Sequence, residues 1–190
     1  MQDFGIYFEL GLQHILDLSG YDHILFVIAL CCTYFIKDWR KVIVLVTAFT
    51  IGHSLTLALS VFNLIRVNTG LIEFLIPVTI VITAFSNVAK RRKRTSTDWL
   101  IYSYALFFGL IHGLGFSNYL HSLLGRESSI ATPLFAFNIG LEIGQLAIVF
   151  IVLLVSFVTT SILSVSRRDW TFFLSATIFG IAFVMVLERI

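Results

Sequence analysis

A chain of 190 residues that is 58% hydrophobic and only 13% charged is not an ordinary soluble domain, because such domains carry about 25% charged residues. A mean hydropathy of +0.95 and a formal net charge of +2 describe an integral membrane protein. The expected fold class is all-α: one domain over 1–190, a polytopic bundle of six transmembrane helices preceded by an outer interfacial helix.

Residues 1–19 read as an amphipathic helix rather than a span. Glu9, Gln13 and Asp17 recur every four residues, with Phe8, Leu12 and Ile15 around them, which suits a short helix on the outer interface. The start, MQDFGIYFEL, lacks the basic n-region and A-x-A-like site of a cleavable signal peptide. Ser19-Gly20 then turns the chain into the bundle of 20–190. A spanning helix needs roughly 20 apolar residues. Spans are predicted at 20–36, 41–61, 70–89, 99–120, 133–160 and 170–188. The first is short, and the fifth is long enough to tilt or to protrude.

Orientation follows from Lys and Arg. Lys37, Arg40 and Lys41, the run Lys90 to Arg94, and Arg167 with Arg168 supply ten of the thirteen basic residues, all in loops on one side. Arg66, Arg126 and Arg189 fall on the other. The positive-inside rule then places both termini outside a bacterial-type inner membrane. That topology also accounts for KRRKR at 90–94, so no nucleic-acid partner is expected. The bilayer and a metal ion are the expected partners, and a homo-oligomer is compatible with the sequence.

Ionisable residues inside hydrocarbon are costly and mark functional sites. At a helix rise of about 1.5 Å per residue, His53 and His112 lie roughly 12 Å below the outer ends of the second and fourth spans. Glu142 lies roughly 13 Å into the fifth. Asp22, His23 and Glu73 lie only about 3–5 Å deep, and the interfacial helix holds His14 over the mouth of the bundle. Glu73 reads equally well as a group reaching the interface, and His121 as an interfacial residue at the exit of the fourth span.

Two histidines and a glutamate, with a position left for water, match a catalytic zinc set. Imidazole also suits nickel, copper and iron, so the ligands do not choose the metal. His14, Asp22, His23, His53, His112 and Glu142 are the candidate metal residues. As sequence neighbours, Asp22 and His23 point about 100° apart on a helix, so the pair suits an outer shell or an entry site. Gly109-x-x-x-Gly113 and Gly140-x-x-x-Gly144 bracket His112 and Glu142 and let helices approach closely. Cys31-Cys32 reads as small apolar core. The chain has no G-x-S-x-G, Walker A, H-E-x-x-H or dinucleotide motif, which removes the common hydrolase, nucleotide and zincin classes.

His14-ILDLSGY-Asp22-His23-ILF, FTIGHSLTL around His53, GLIHGLGFS around His112 and FNIGLEIGQ around Glu142 together resemble the HupE/UreJ-type membrane protein family. The likeness runs over about residues 4–150 and is to a second branch rather than the hydrogenase-linked one. That better-known branch has five residues between its first His and Asp-His, where seven stand here. It also has a Glu where this chain has Ser117-Asn118. The resemblance implies hydrogenase or urease accessory roles, a nickel or cobalt permease activity, and metal handling by His14, Asp22, His23 and His112.

Two functions are therefore expected to compete. One is a permease that captures nickel, cobalt or another divalent metal from outside. The other is a zinc-dependent intramembrane hydrolase or transferase, acting from the outer side on a lipid or peptide, with Glu142 as general base.

Overall fold

The computed structural model describes residues 2–65, 67–89, 98–124 and 130–190. The basic run 90–94, Arg66 and Arg126, which bear on the expected orientation, lie outside these. All regular structure among the described residues is helical. Helix α1 is Gln2–Leu16, α2 Asp22–Cys31, α3 Trp39–Val61, α4 Thr69–Ala89, α5 Asp98–Leu124, α6 Ala131–Phe157 and α7 Arg167–Glu188. A π-helical turn, Val158–Ile162, extends α6.

Five of these helices are long and apolar enough to cross a membrane: Ile36–Val61, Thr69–Ala89, Trp99–Ser117, Ala131–Ile162 and Arg167–Glu188. The chain is an integral membrane protein. The segment expected as a first span over 20–36 differs, because its helix α2 has only 10 residues. After Cys31 the backbone tightens, with Tyr34 N–H donating to the Cys31 carbonyl at 2.8 Å, and Phe35 is extended. The carbonyl of Cys32, left over at the helix end, accepts from the Thr171 hydroxyl of α7 at 3.1 Å. A helix end in an apolar bundle needs such a partner.

Three helix pairs organise the bundle: α3 against α5, α1 against α6, and α4 against α7. In lipid there is little hydrophobic drive between helices, so close van der Waals approach holds them. Glycine makes that approach possible at two seams. A side chain at Gly52 would strike the Leu106 carbonyl, and one at Gly109 or Gly113 the backbone of Phe49 or His53. At the other seam, Gly11 faces the Phe137 carbonyl, Gly140 the Phe8 carbonyl and Gly144 the Ile15 side chain. Helix α1 thus lies along the N-terminal half of α6 in backbone contact. These seams carry the histidines: His14 is on α1, and His53 and His112 are on α3 and α5. Helix α2 begins beside them, with Asp22 and His23 in its first turn.

A second polar cluster closes the far end of α2. Asn87 of α4 donates to the Ala29 carbonyl at 2.7 Å and lies 3.3 Å from the Cys32 sulfur. Ser175 of α7 lies 3.3 Å from the same sulfur. Cys31 and Cys32 are buried free thiols, consistent with small core residues.

Candidate metal centre

His14, His23 and His53 meet. Each offers a ring nitrogen, and these atoms all lie within 4.8 Å of one another. Nitrogens bound to one tetrahedral ion are about 3.4 Å apart, so small side-chain movements close the gap. The ring centroids stand 4.7 Å apart for His14–His23, 5.8 Å for His23–His53 and 5.9 Å for His14–His53. His112 stands beside the group, 5.1 Å from His23 between centroids. His53 and His112 are fully buried and His23 is 4% exposed.

Buried polar atoms are nearly always hydrogen-bonded. Here His14 Nε2, His23 Nε2, both ring nitrogens of His53 and His112 Nδ1 have no partner among the described residues. An unpaired polar atom in a low-dielectric interior is expensive. Orphaned nitrogens on four neighbouring imidazoles fit ligand positions.

The remaining ring nitrogens decide where the lone pairs sit. Asp22 Oδ1 lies 3.0 Å from His23 Nδ1 and also accepts the His23 backbone N–H at 2.8 Å. A carboxylate there holds the proton on Nδ1 and leaves Nε2 as the free donor of an electron pair, the outer-shell arrangement of many metal-bound histidines. The Thr79 hydroxyl donates its one hydrogen to the Ile76 carbonyl at 2.7 Å and lies 2.9 Å from His112 Nε2. With its hydrogen on Ile76 it accepts from that nitrogen, which leaves the lone pair of His112 on Nδ1. Behind Asp22, Arg189 Nη2 stands 3.8 Å from Oδ2 and Nη1 donates to the Glu73 carbonyl at 2.7 Å.

Aromatic rings wall the group. Phe116 packs on His14 at 4.0 Å and stacks on Phe137. Phe26 packs on His112 at 4.6 Å, and Phe49 packs on both His112 and His53. Such apolar walls lower the local dielectric, which strengthens electrostatic interactions inside.

Of the sequence candidates, the structure gathers His14, His23 and His53, with His112 alongside and Asp22 behind His23. Glu142 is held elsewhere: its carboxylate accepts from the Thr47 hydroxyl at 2.7 Å, where α3 meets α6. The Glu73 side chain is exposed, and only its carbonyl joins the Arg189 contact. Ser117, where the better-known branch differs, donates to the Leu114 carbonyl at 2.7 Å. The side chains of His121 and Asn118 lie outside the described ones. Sequence reasoning missed Thr79 and Arg189. Thr79 lies nine residues into its expected span, at a depth like that of His53 and His112, but a hydroxyl is not ionisable and so gave no signal. The reach of Arg189 from the end of α7 had no such signal.

No curated protein and no solved structure matches this chain. A family profile described as HupE / UreJ protein matches residues 1–189. This likeness spans all seven helices, beyond the stretch that carries the sequence motifs, and the chain belongs to the HupE / UreJ family.

Proposed function

We propose that this protein is a permease for a divalent transition metal, of the nickel or cobalt type, in a bacterial-type inner membrane. The observation that carries the reading is the convergence of unpartnered imidazole nitrogens from α1, α2, α3 and α5 in an aromatic-walled interior. His14, His23 and His53 take the ion, His112 completes the set, and Asp22 fixes the tautomer of His23. Imidazole nitrogen binds nickel, cobalt and zinc well, and magnesium or calcium poorly, which defines the class of cargo.

In this reading both termini lie outside and the group opens outward. Helix α2 with its flanking residues serves as a shortened first crossing, giving six in all, and α1 enters from the outer interface along α6. The zinc-hydrolase reading needs a general base at the metal. Glu142, the residue suited to that task, is engaged by Thr47, so transport is the better supported of the two.

Proteoliposome uptake of nickel, cobalt and zinc by the purified protein is the test. Uptake of at least one of these is expected, with His53→Ala abolishing it. Absence of uptake for all three, from protein that binds the metals stoichiometrically, would overturn the transport reading and leave metal binding in place.

A further inference from the structure

Pro77 lies inside α4. Proline has no N–H, so the carbonyl four residues before it loses its helical partner. That carbonyl belongs to Glu73, and it accepts from Arg189 Nη1 at 2.7 Å. The proline thus opens a socket on α4, and a guanidinium from the end of α7 fills it. Arg189 is the residue that follows the last turn of α7, where the negative end of the helix dipole suits a cation.

The other terminal nitrogen, Nη2, faces Asp22 Oδ2 at 3.8 Å. That is an ion pair without a hydrogen bond, so Glu73 and not Asp22 holds the guanidinium. Asp22 in turn does not depend on Arg189 for its place. Its Oδ1 is fixed by the His23 backbone N–H at 2.8 Å and by His23 Nδ1 at 3.0 Å. The two charged groups are held separately and face each other, one carboxylate away from the His23 ring. The other Lys and Arg among the described residues are Lys37, Arg40, Lys41, Arg167 and Arg168. They stand at or before the start of α3 and at the start of α7, a helix length from Arg189. Among the described residues, Arg189 is the fixed positive charge beside the imidazole group.

We infer that Arg189 is the resident counter-ion of the metal centre, seated by the carbonyl that Pro77 frees, and that it sets the affinity for the ion. In the empty site the guanidinium balances Asp22. A divalent ion at the imidazoles brings like charge beside it, and that repulsion needs no contact. Arg189 therefore loosens the hold on the ion, and a site that passes its cargo on must bind weakly enough to release it. The setting of affinity rests on the metal-centre reading, and the part in release rests on the transport reading. A guanidinium that only clamped α7 to α2 and α4 would act in the opposite sense. Its loss would slacken Asp22 and His23 and weaken binding, so the sign of the change separates the two roles.

Nickel(II) is the probe, read by equilibrium dialysis of the purified full-length protein. Arg189→Gln should tighten nickel binding about three- to tenfold with the number of ions unchanged, and Arg189→Lys, which restores the charge, should reverse most of that gain. Raising the salt concentration should narrow the gap between Arg189→Gln and the parent, because salt screens a partly exposed charge. Pro77→Ala returns an N–H to the Glu73 carbonyl and unseats Arg189. It should tighten binding by itself and add little to Arg189→Gln. Unchanged or weaker binding by Arg189→Gln, or equal tightening by the Gln and Lys variants, overturns the charge role. A Pro77→Ala gain that adds in full to Arg189→Gln overturns the socket. In proteoliposomes, nickel uptake by Arg189→Gln should fall as release slows, and uptake that does not fall overturns the part in release. Absent uptake by the unaltered protein, alongside the expected affinities, overturns the transport reading and leaves the charge role. Absent nickel binding by the unaltered protein overturns the metal-centre reading and this role with it.

Discussion

Helix α2 has a polar cluster at each end, and the two are opposites. At its C-terminal end, Asn87, Ser175 and Thr171 close around Cys32 and the carbonyls of Ala29 and Cys32, each polar group finding another. At its N-terminal end, five imidazole nitrogens have no partner among the described residues. Both clusters sit in an apolar bundle, and both join several helices. A satisfied network ties helices together and specifies their packing. An unsatisfied one costs stability unless something outside the chain completes it. In the proposed reading, the difference separates polar groups that hold the fold from polar groups that await a metal ion.

The sharpest way to break this comparison is to remove a ligand. Replacement of His14 or His23 by Ala should reduce nickel affinity by well over the roughly 10–100-fold that outer-shell changes cost. Equilibrium dialysis with metal analysis reads the loss. His14→Ala should fold normally, because His14 Nε2 has no partner among the described residues. His23→Ala also releases Asp22 from its 3.0 Å contact with Nδ1, so thermal unfolding of both variants accompanies the dialysis. Unchanged affinity in both would dissolve the distinction between the two ends.

A smaller effect is expected from Asp22→Asn. The amide keeps the shape but not the charge, so it no longer fixes the proton on His23 Nδ1 as firmly. It also frees Arg189, which stands 3.8 Å from the carboxylate. Nickel affinity should fall about 10–100-fold, while the number of ions bound stays the same. A loss as complete as that of His23→Ala would instead place Asp22 on the ion itself.

Much of this site could be read from the chain. His53 and His112 stood out because a histidine eight residues inside an apolar span has few explanations, and they are neighbours of one group. Glycine spacing around His112 announced a seam, and the structure puts Gly109 and Gly113 against the backbone of α3. Glu142 shows where depth reasoning stops. Depth gives one coordinate, and the direction a side chain takes around its helix gives another. Glu142 points toward Thr47 on the face that α6 turns to α3. The end of α2 was hidden for a different reason. Residues 20–36 are apolar almost throughout, and hydropathy does not register where the backbone ladder stops. That stop depends on Thr171, more than a hundred residues later, which receives the free carbonyl of Cys32.

The satisfied end supplies the smallest effect and the control for all the others. Asn87→Ala removes donors to the Ala29 carbonyl and to the Cys32 sulfur. Ser175→Ala removes the second contact to that sulfur. Hydrogen bonds between helices in membranes average about 0.6 kcal/mol, so each variant should cost on the order of 1 kcal/mol of stability. Thermal or denaturant unfolding in detergent measures that cost. Nickel affinity should change by less than about twofold, since α2 carries His23 nine residues from Cys32 and the Asp22 contact that orients it is untouched. A large loss of metal binding in Ser175→Ala would mean that the two ends of α2 are coupled, and that the network at Cys32 sets the position of His23. Loss of stability without loss of affinity would show that one short helix keeps its structural and its ligand-binding polarity apart.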